Sequence, residues 1–99
     1  MKIIKKYVDR IVDEIDGAND YTECYINAKI DNNIPLAEKY HKMALDELNH
    51  MKINHEIAVE KIEAAKRYFQ PTEEMLEMWE ETHERYVETV DMITKALSM

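Results

Sequence analysis

Apolar residues recur at helical spacing along three stretches of this chain, and two prolines separate the stretches. In the first, Ile4, Val8, Ile11, Ile15, Ala18, Thr22 and Tyr25 follow one another at steps of three and four, which puts them on one face of an α-helix. In the second, the same spacing joins Ala37, Ala44, Leu48, Met51, Ala58, Ile62, Ala65 and Phe69. In the third it joins Met75, Trp79, Thr82, Tyr86, Val90, Ile93 and Leu97. Pro35 and Pro71 each follow a turn-like segment, "DNNIP" and "YFQPTEE". Proline suits a first helical turn and breaks a helix interior. The pattern therefore predicts helices over about 2–31, 35–69 and 72–97, each roughly 40–50 Å long at 1.5 Å per residue. Thr72 is the expected cap of the third helix, and Glu73 and Glu74 suit its positive end.

Short turns between long helices make antiparallel neighbours. The expected fold class is all-α: a single domain over 1–99, an antiparallel up-down-up bundle of three long helices. Three helices of this length leave apolar flanks uncovered, among them Tyr7, Tyr21, Tyr40, Met43 and Met78. A homodimer or higher homo-oligomer is expected to cover them and complete a larger bundle.

A second stripe beside the first changes the picture. On helix 1 it runs through Tyr7, Ile11, Glu14, Ala18, Tyr21, Tyr25 and Ala28, with Glu14 its one charge. On helix 2 it runs through Leu36, Tyr40, Met43, Glu47, His50, Asn54 and Ile57, interrupted by Glu47 and His50. A carboxylate on a core flank is costly to bury unless it is paired, hydrogen-bonded or metal-bound. Helices 1 and 2 fold back near Asn33, which brings Glu14 to within roughly 3–8 Å of the level of Glu47–His50 along the bundle. Two carboxylates and an imidazole from facing helices are hard oxygen and borderline nitrogen ligands, suited to iron, manganese or zinc. A Glu from one helix with Glu-x-x-His from its neighbour is half of a carboxylate-bridged di-metal site.

Composition narrows the partners. The 99 residues carry a formal charge of −8 with 34% charged residues, one glycine and two prolines. Phosphate binding needs clustered Lys and Arg, so nucleic acid is not an expected partner. The single Cys24 excludes an intrachain disulfide and fits a reducing compartment. "MKIIKKYVDRIVDEID" has a basic start without an apolar core, which is not the pattern of a signal peptide. No segment approaches a transmembrane run. The expectation is a cytoplasmic protein with no membrane partner.

Glu14, then Tyr21, then the "ELNH" of Glu47–His50 thirty-three residues after Glu14, resembles the first helix pair of the ferritin-like superfamily, with spacing close to that of rubrerythrin-type proteins. The resemblance covers roughly residues 7–58. It implies that Glu14 is a terminal metal ligand, that Glu47 bridges two irons, that His50 binds one of them, and that Tyr21 stands behind the ligands. Gly17 and Ala18 would let the helices approach closely there. The usual family chain has four helices and a second Glu plus Glu-x-x-His, which this chain lacks in that form. Encapsulated ferritins resolve the same shortage by joining two short chains across a twofold axis. The resemblance therefore implies a di-iron centre shared between chains, with Mn or Zn as alternative metals, and ferroxidase or other oxidoreductase chemistry with O2 or peroxide. There is no rubredoxin-like Cys-x-x-Cys pair to deliver electrons.

Helix 3 carries a further Glu-x-x-His, Glu80 to His83. Folding back at residue 70 sets His83 level with residue 57, about 10 Å from the Glu47–His50 layer and close to His55. Glu80, His83, His55 and Tyr21 are thus additional candidates, as ligands or as groups behind ligands. Each has a plainer reading: a solvated Glu, or a core or interface His. His41 is expected to be partly exposed, and Cys24 to be a small buried hydrophobe. The rival function is a non-catalytic helical dimerisation or adaptor protein with a ferritin-like fold and no metal centre.

Overall fold

A computed structural model describes residues 2–99 as three helices, α1 (Lys2–Ile30), α2 (Ile34–Lys66) and α3 (Glu73–Leu97), with no strand among the described residues. The molecule is a rod of 54 × 18 × 18 Å. No helix of the described residues is long and apolar enough to cross a membrane.

The first turn is fixed by its asparagines. Asn32 takes a positive φ of 56°, a conformation that Asn tolerates better than most residues. The Asn33 amide then donates to Ala28 O at 2.8 Å and the Asn32 amide to Lys29 O at 3.0 Å, the paired bonds of a Schellman ending. Asn33 also caps α2 by accepting from the Leu36 amide at 3.3 Å. At the second turn, Thr72 caps α3 as expected, accepting from the Met75 amide at 3.2 Å.

The predicted second helix runs three residues too far. α2 ends at Lys66, and the Tyr68 and Phe69 amides both reach Ala65 O at 3.0 and 2.9 Å. The residue before a proline is pushed away from helical geometry, and Pro71 therefore shortens the helix from a distance. Phe69, read from the pattern as the last core position, is 65% exposed.

The α1 stripe is buried along its whole length, from Ile4 to Tyr25. Ile4 and Val8 meet Ile62 near the end of α2, while Tyr25 and Ala28 meet Ala37 near its start. Met75, Met78 and Trp79 of α3 pack on the Ile4–Val8–Ile62 cluster, and Leu97 packs beside Tyr25 and Ala28. The central cluster joins Ile11, Ile15 and Ala18 to Leu48, Met51, Ala58 and Ile93. α1 thus contacts both other helices extensively, whereas the α2 and α3 backbones approach each other little.

One flank expected to be open is not. Tyr7 is buried against the central cluster, with the Arg10 guanidinium 5.7 Å from its ring centre. Tyr21, Tyr40 and Met78 are half-buried, and Met43 is 40% exposed.

Urea denaturation separates core from periphery. Ile11→Ala or Ile15→Ala, each emptying a fully buried position, is expected to lower stability by roughly 2–5 kcal/mol. Phe69→Ala is expected to change it by less than about 0.5 kcal/mol, as for a surface site.

Candidate carboxylate site between α1 and α2

Glu14, Gly17 and Tyr21 lie at steps of three and four on α1, and Glu47, His50 and Asn54 repeat those steps on α2. The two rows face each other across the α1–α2 boundary. Gly17 matters for the approach: a Cβ built there would stand 3.2 Å from Glu47 Oε2. Without that Cβ, the Glu47 carboxylate lies against the α1 backbone. Glu47 is accordingly the more enclosed of its pair, its side chain 28% exposed, while that of His50 is 61% exposed. The His50 Nδ1 stands 3.9 Å from Glu47 Oε1.

Glu14 completes the arrangement. Its Oε1 accepts from Asn54 Nδ2, and Asn54 also donates to His50 O at 3.2 Å. Its Oε2 is buried with no hydrogen-bond partner. Burial pushes the Glu14 carboxyl above its ordinary range, and the nearby Glu47 charge pushes it further. His50, the Asn54 hydrogen bond and Arg10 act the other way. Two carboxylates are thus held close enough to repel, one of them with an unused oxygen.

The other predicted residues separate from this group. Tyr21 is half-buried on the same flank of α1. His55 projects about 140° round α2 from His50, five residues on at 100° each. It enters a different layer, where its ring lies 5.0 Å from that of His83, the level that the fold-back at residue 70 predicts. Glu80 and His83 are exposed. Among the described residues, no three His, Cys, Asp or Glu side chains are gathered closely enough to hold a metal ion between them. Glu14, Glu47 and His50 therefore offer donors of the right kind from one chain, not a closed ligand set.

Two residues carry more than their sequence context suggested. Asn54 links Glu14 to the α2 backbone, and its only sequence signal was a polar residue four positions after His50 on an apolar flank. His41 joins α2 to the end of α3, its Nε2 2.9 Å from Leu97 O and its ring edge-on to Tyr25 at 5.3 Å. Cys24 is free and half-buried. Compared with family models, with curated proteins and with solved structures, the chain matches none.

The unpaired Glu14 oxygen makes a stability prediction. Glu14→Gln is expected to raise the thermal midpoint at pH 7, by roughly 4–8 °C if about 1 kcal/mol of desolvation and repulsion is relieved. The folded carboxyl titrates above its unfolded value, so the native state takes up this proton first. Wild type then recovers stability as pH falls through the folded pKa. The gap between variant and wild type in melting curves should therefore shrink from pH 7 to pH 5.

Proposed function

We propose that this chain is a ferritin-like carboxylate protein that binds iron at Glu14, Glu47 and His50 and completes the site by pairing with a second copy. The observation that carries the reading is the Glu14–Glu47 pair. An acidic surface made only for solubility has no reason to press two carboxylates together across a helix interface. Here Gly17 makes room for one of them, and one oxygen of the other is left buried without a partner. Such a pair is destabilising in the empty protein and is relieved by a cation.

The three helices are read as an up-down-up bundle whose α1–α2 flank is the pairing surface. Leu36 and Met43 on that flank are exposed large hydrophobics, in line with the Glu47 row of α2. A second copy laid there would bring its own Glu14, Glu47 and His50 to the same place, a total of four carboxylates and two imidazoles. The donor set fits Fe(II), with Mn(II) and Zn(II) as competitors. Bound iron would supply electron transfer to O2 or peroxide, which makes ferroxidase or peroxide-consuming chemistry the proposed activity. The chain's own part is to hold the donors. Gly17 admits the Glu47 carboxylate, Asn54 fixes one oxygen of Glu14 and leaves the other free, and the Glu47 carboxylate lies near His50 Nδ1. A reducing cytoplasmic setting is consistent with a free Cys24.

A second reading has its own support. The exposure of His50 and the Asn54 bond to Glu14 also suit a helical dimerisation or adaptor protein in which these groups are solvated or bonded within the chain.

Elemental analysis after anaerobic Fe(II) loading and desalting tests the proposal. About one iron per chain is expected if two chains share a two-iron centre, and Glu47→Ala is expected to lose it while remaining helical. Wild type that retains no metal would reject the iron reading and leave the adaptor.

A further inference from the structure

The α2–α3 boundary is built differently from the rest of the fold. The two backbones approach each other little, and four rings fill the gap. Trp79, His83 and Tyr86 stand at steps of four and three along one face of α3. The His55 ring of α2 enters this face. It lies parallel to Tyr86, within 5°, at 4.1 Å between centres. It stands 5.0 Å from His83 at 30°, and 6.0 Å from Trp79 at 13°. Its Nε2 is buried with no hydrogen-bond partner. His55 is therefore used as a flat, neutral plate in an aromatic stack.

We propose that this stack is a proton-operated latch, in which uptake of a proton by His55 releases the first half of α3 from α2 while the far end of α3 stays attached. A charged His55 would place an imidazolium N–H in a buried site that offers it no acceptor. It would also set that charge 5.0 Å from the His83 ring, which disfavours it. The surrounding groups can be named from each helix. α3 presents His83 and Tyr86, α2 presents Glu56, and α1 contributes Tyr7 to the same core cluster, with Asp16 beside Arg85 further out. Glu56 favours the charged form, and the Tyr86 and Trp79 faces attract a cation. Burial and His83 outweigh Glu56, and His55 titrates below the ordinary histidine value.

The two ends of α3 respond differently because they are held by different chemistry. The first half of α3 sets Met75, Met78 and Trp79 on the Ile4–Val8–Ile62 cluster, and its ion pair to α1 among the described residues is the exposed Arg85–Asp16 at 3.5 Å. Such a pair adds little. The far end is held by three contacts to backbone carbonyls. His41 Nε2 meets Leu97 O at 2.9 Å, and Lys29 Nζ and Tyr25 OH donate to Met99 O at 2.6 and 3.2 Å. A protonated His41 still donates to a carbonyl, so acid leaves that end in place. Opening would uncover the apolar face that α1 and α2 share, including Ile4, Met51 and Ile62.

Trp79 is the one tryptophan in the sequence and sits in the latch, so its fluorescence reports the opening. The experiment follows acrylamide quenching of Trp79 in the full chain from pH 8 to pH 5, with far-UV circular dichroism to confirm that the helices persist. Quenching is expected to rise below about pH 6.5, with an open-to-closed ratio growing by up to about tenfold per pH unit, the limit for one proton. His55→Phe keeps the plate and removes the titration, and its profile should be flat. His83→Gln removes the like charge, so a protonated His55 is less unfavourable in the closed latch, and the rise in quenching should move to lower pH. This second variant decides the matter if His55→Phe does not fold. Quenching that is constant from pH 8 to pH 5, a His55→Phe profile that titrates like wild type, or a His83→Gln transition that does not move would each overturn the latch.

Discussion

Everything in this protein depends on the burial of one helix from two sides. α1 supplies Ile4, Ile11 and Ile15, all fully buried. Each such side chain contributes about 1.5–3 kcal/mol when taken out of water. Because α2 and α3 both use α1 as their main partner, the chain needs no close α2–α3 backbone contact to hold together. That freedom has two consequences. One flank of the α1–α2 pair stays clear of α3 and is available for polar groups. The α2–α3 gap is filled by rings, whose packing depends on the charge state of a histidine.

The polar flank and the aromatic gap represent opposite solutions to placing titratable groups in a small bundle. Glu14 and Glu47 repel each other, and Glu14 keeps an unpaired buried oxygen, a cost that a bound cation would offset. His55 is neutral and packed, and a proton would cost what stacking now contributes. Glu14 lies on α1, and on α2 the side chains of His50 and His55 project about 140° apart, counting 100° per residue. The proposed iron chemistry and the proposed latch are therefore separable: loss of either leaves the other's geometry untouched.

Much of this was legible in the pattern. Helical spacing found the full α1 stripe, and counting back from Asn33 and from residue 70 placed Glu14 beside Glu47 and His83 beside His55. Those inferences rest on the fixed rise of a helix and need no side-chain detail. The failures have physical causes that spacing does not encode. Phe69 fits the α2 periodicity, yet Pro71 ends the helix before it. Tyr7 sits on the flank of the stripe, yet its long ring reaches the central cluster. His41 is partly exposed as expected, but spacing gives no sign of its contact with a backbone carbonyl 56 residues away. Nothing in the spacing marks Asn54 within the second α2 stripe, yet its side-chain amide donates to Glu14.

The proposed cation site at Glu14 and Glu47 is the central claim, and side-chain carboxyl NMR during a Mn(II) titration tests it most directly. A paramagnetic ion broadens only the carbons near it. The account predicts that the Glu14 and Glu47 carboxyls and the His50 ring broaden together, before the many solvent-exposed carboxylates of α3 such as Glu84 and Glu88. Uniform broadening across the acidic surface, with Glu14 and Glu47 no more affected than Glu84 and Glu88, would contradict it.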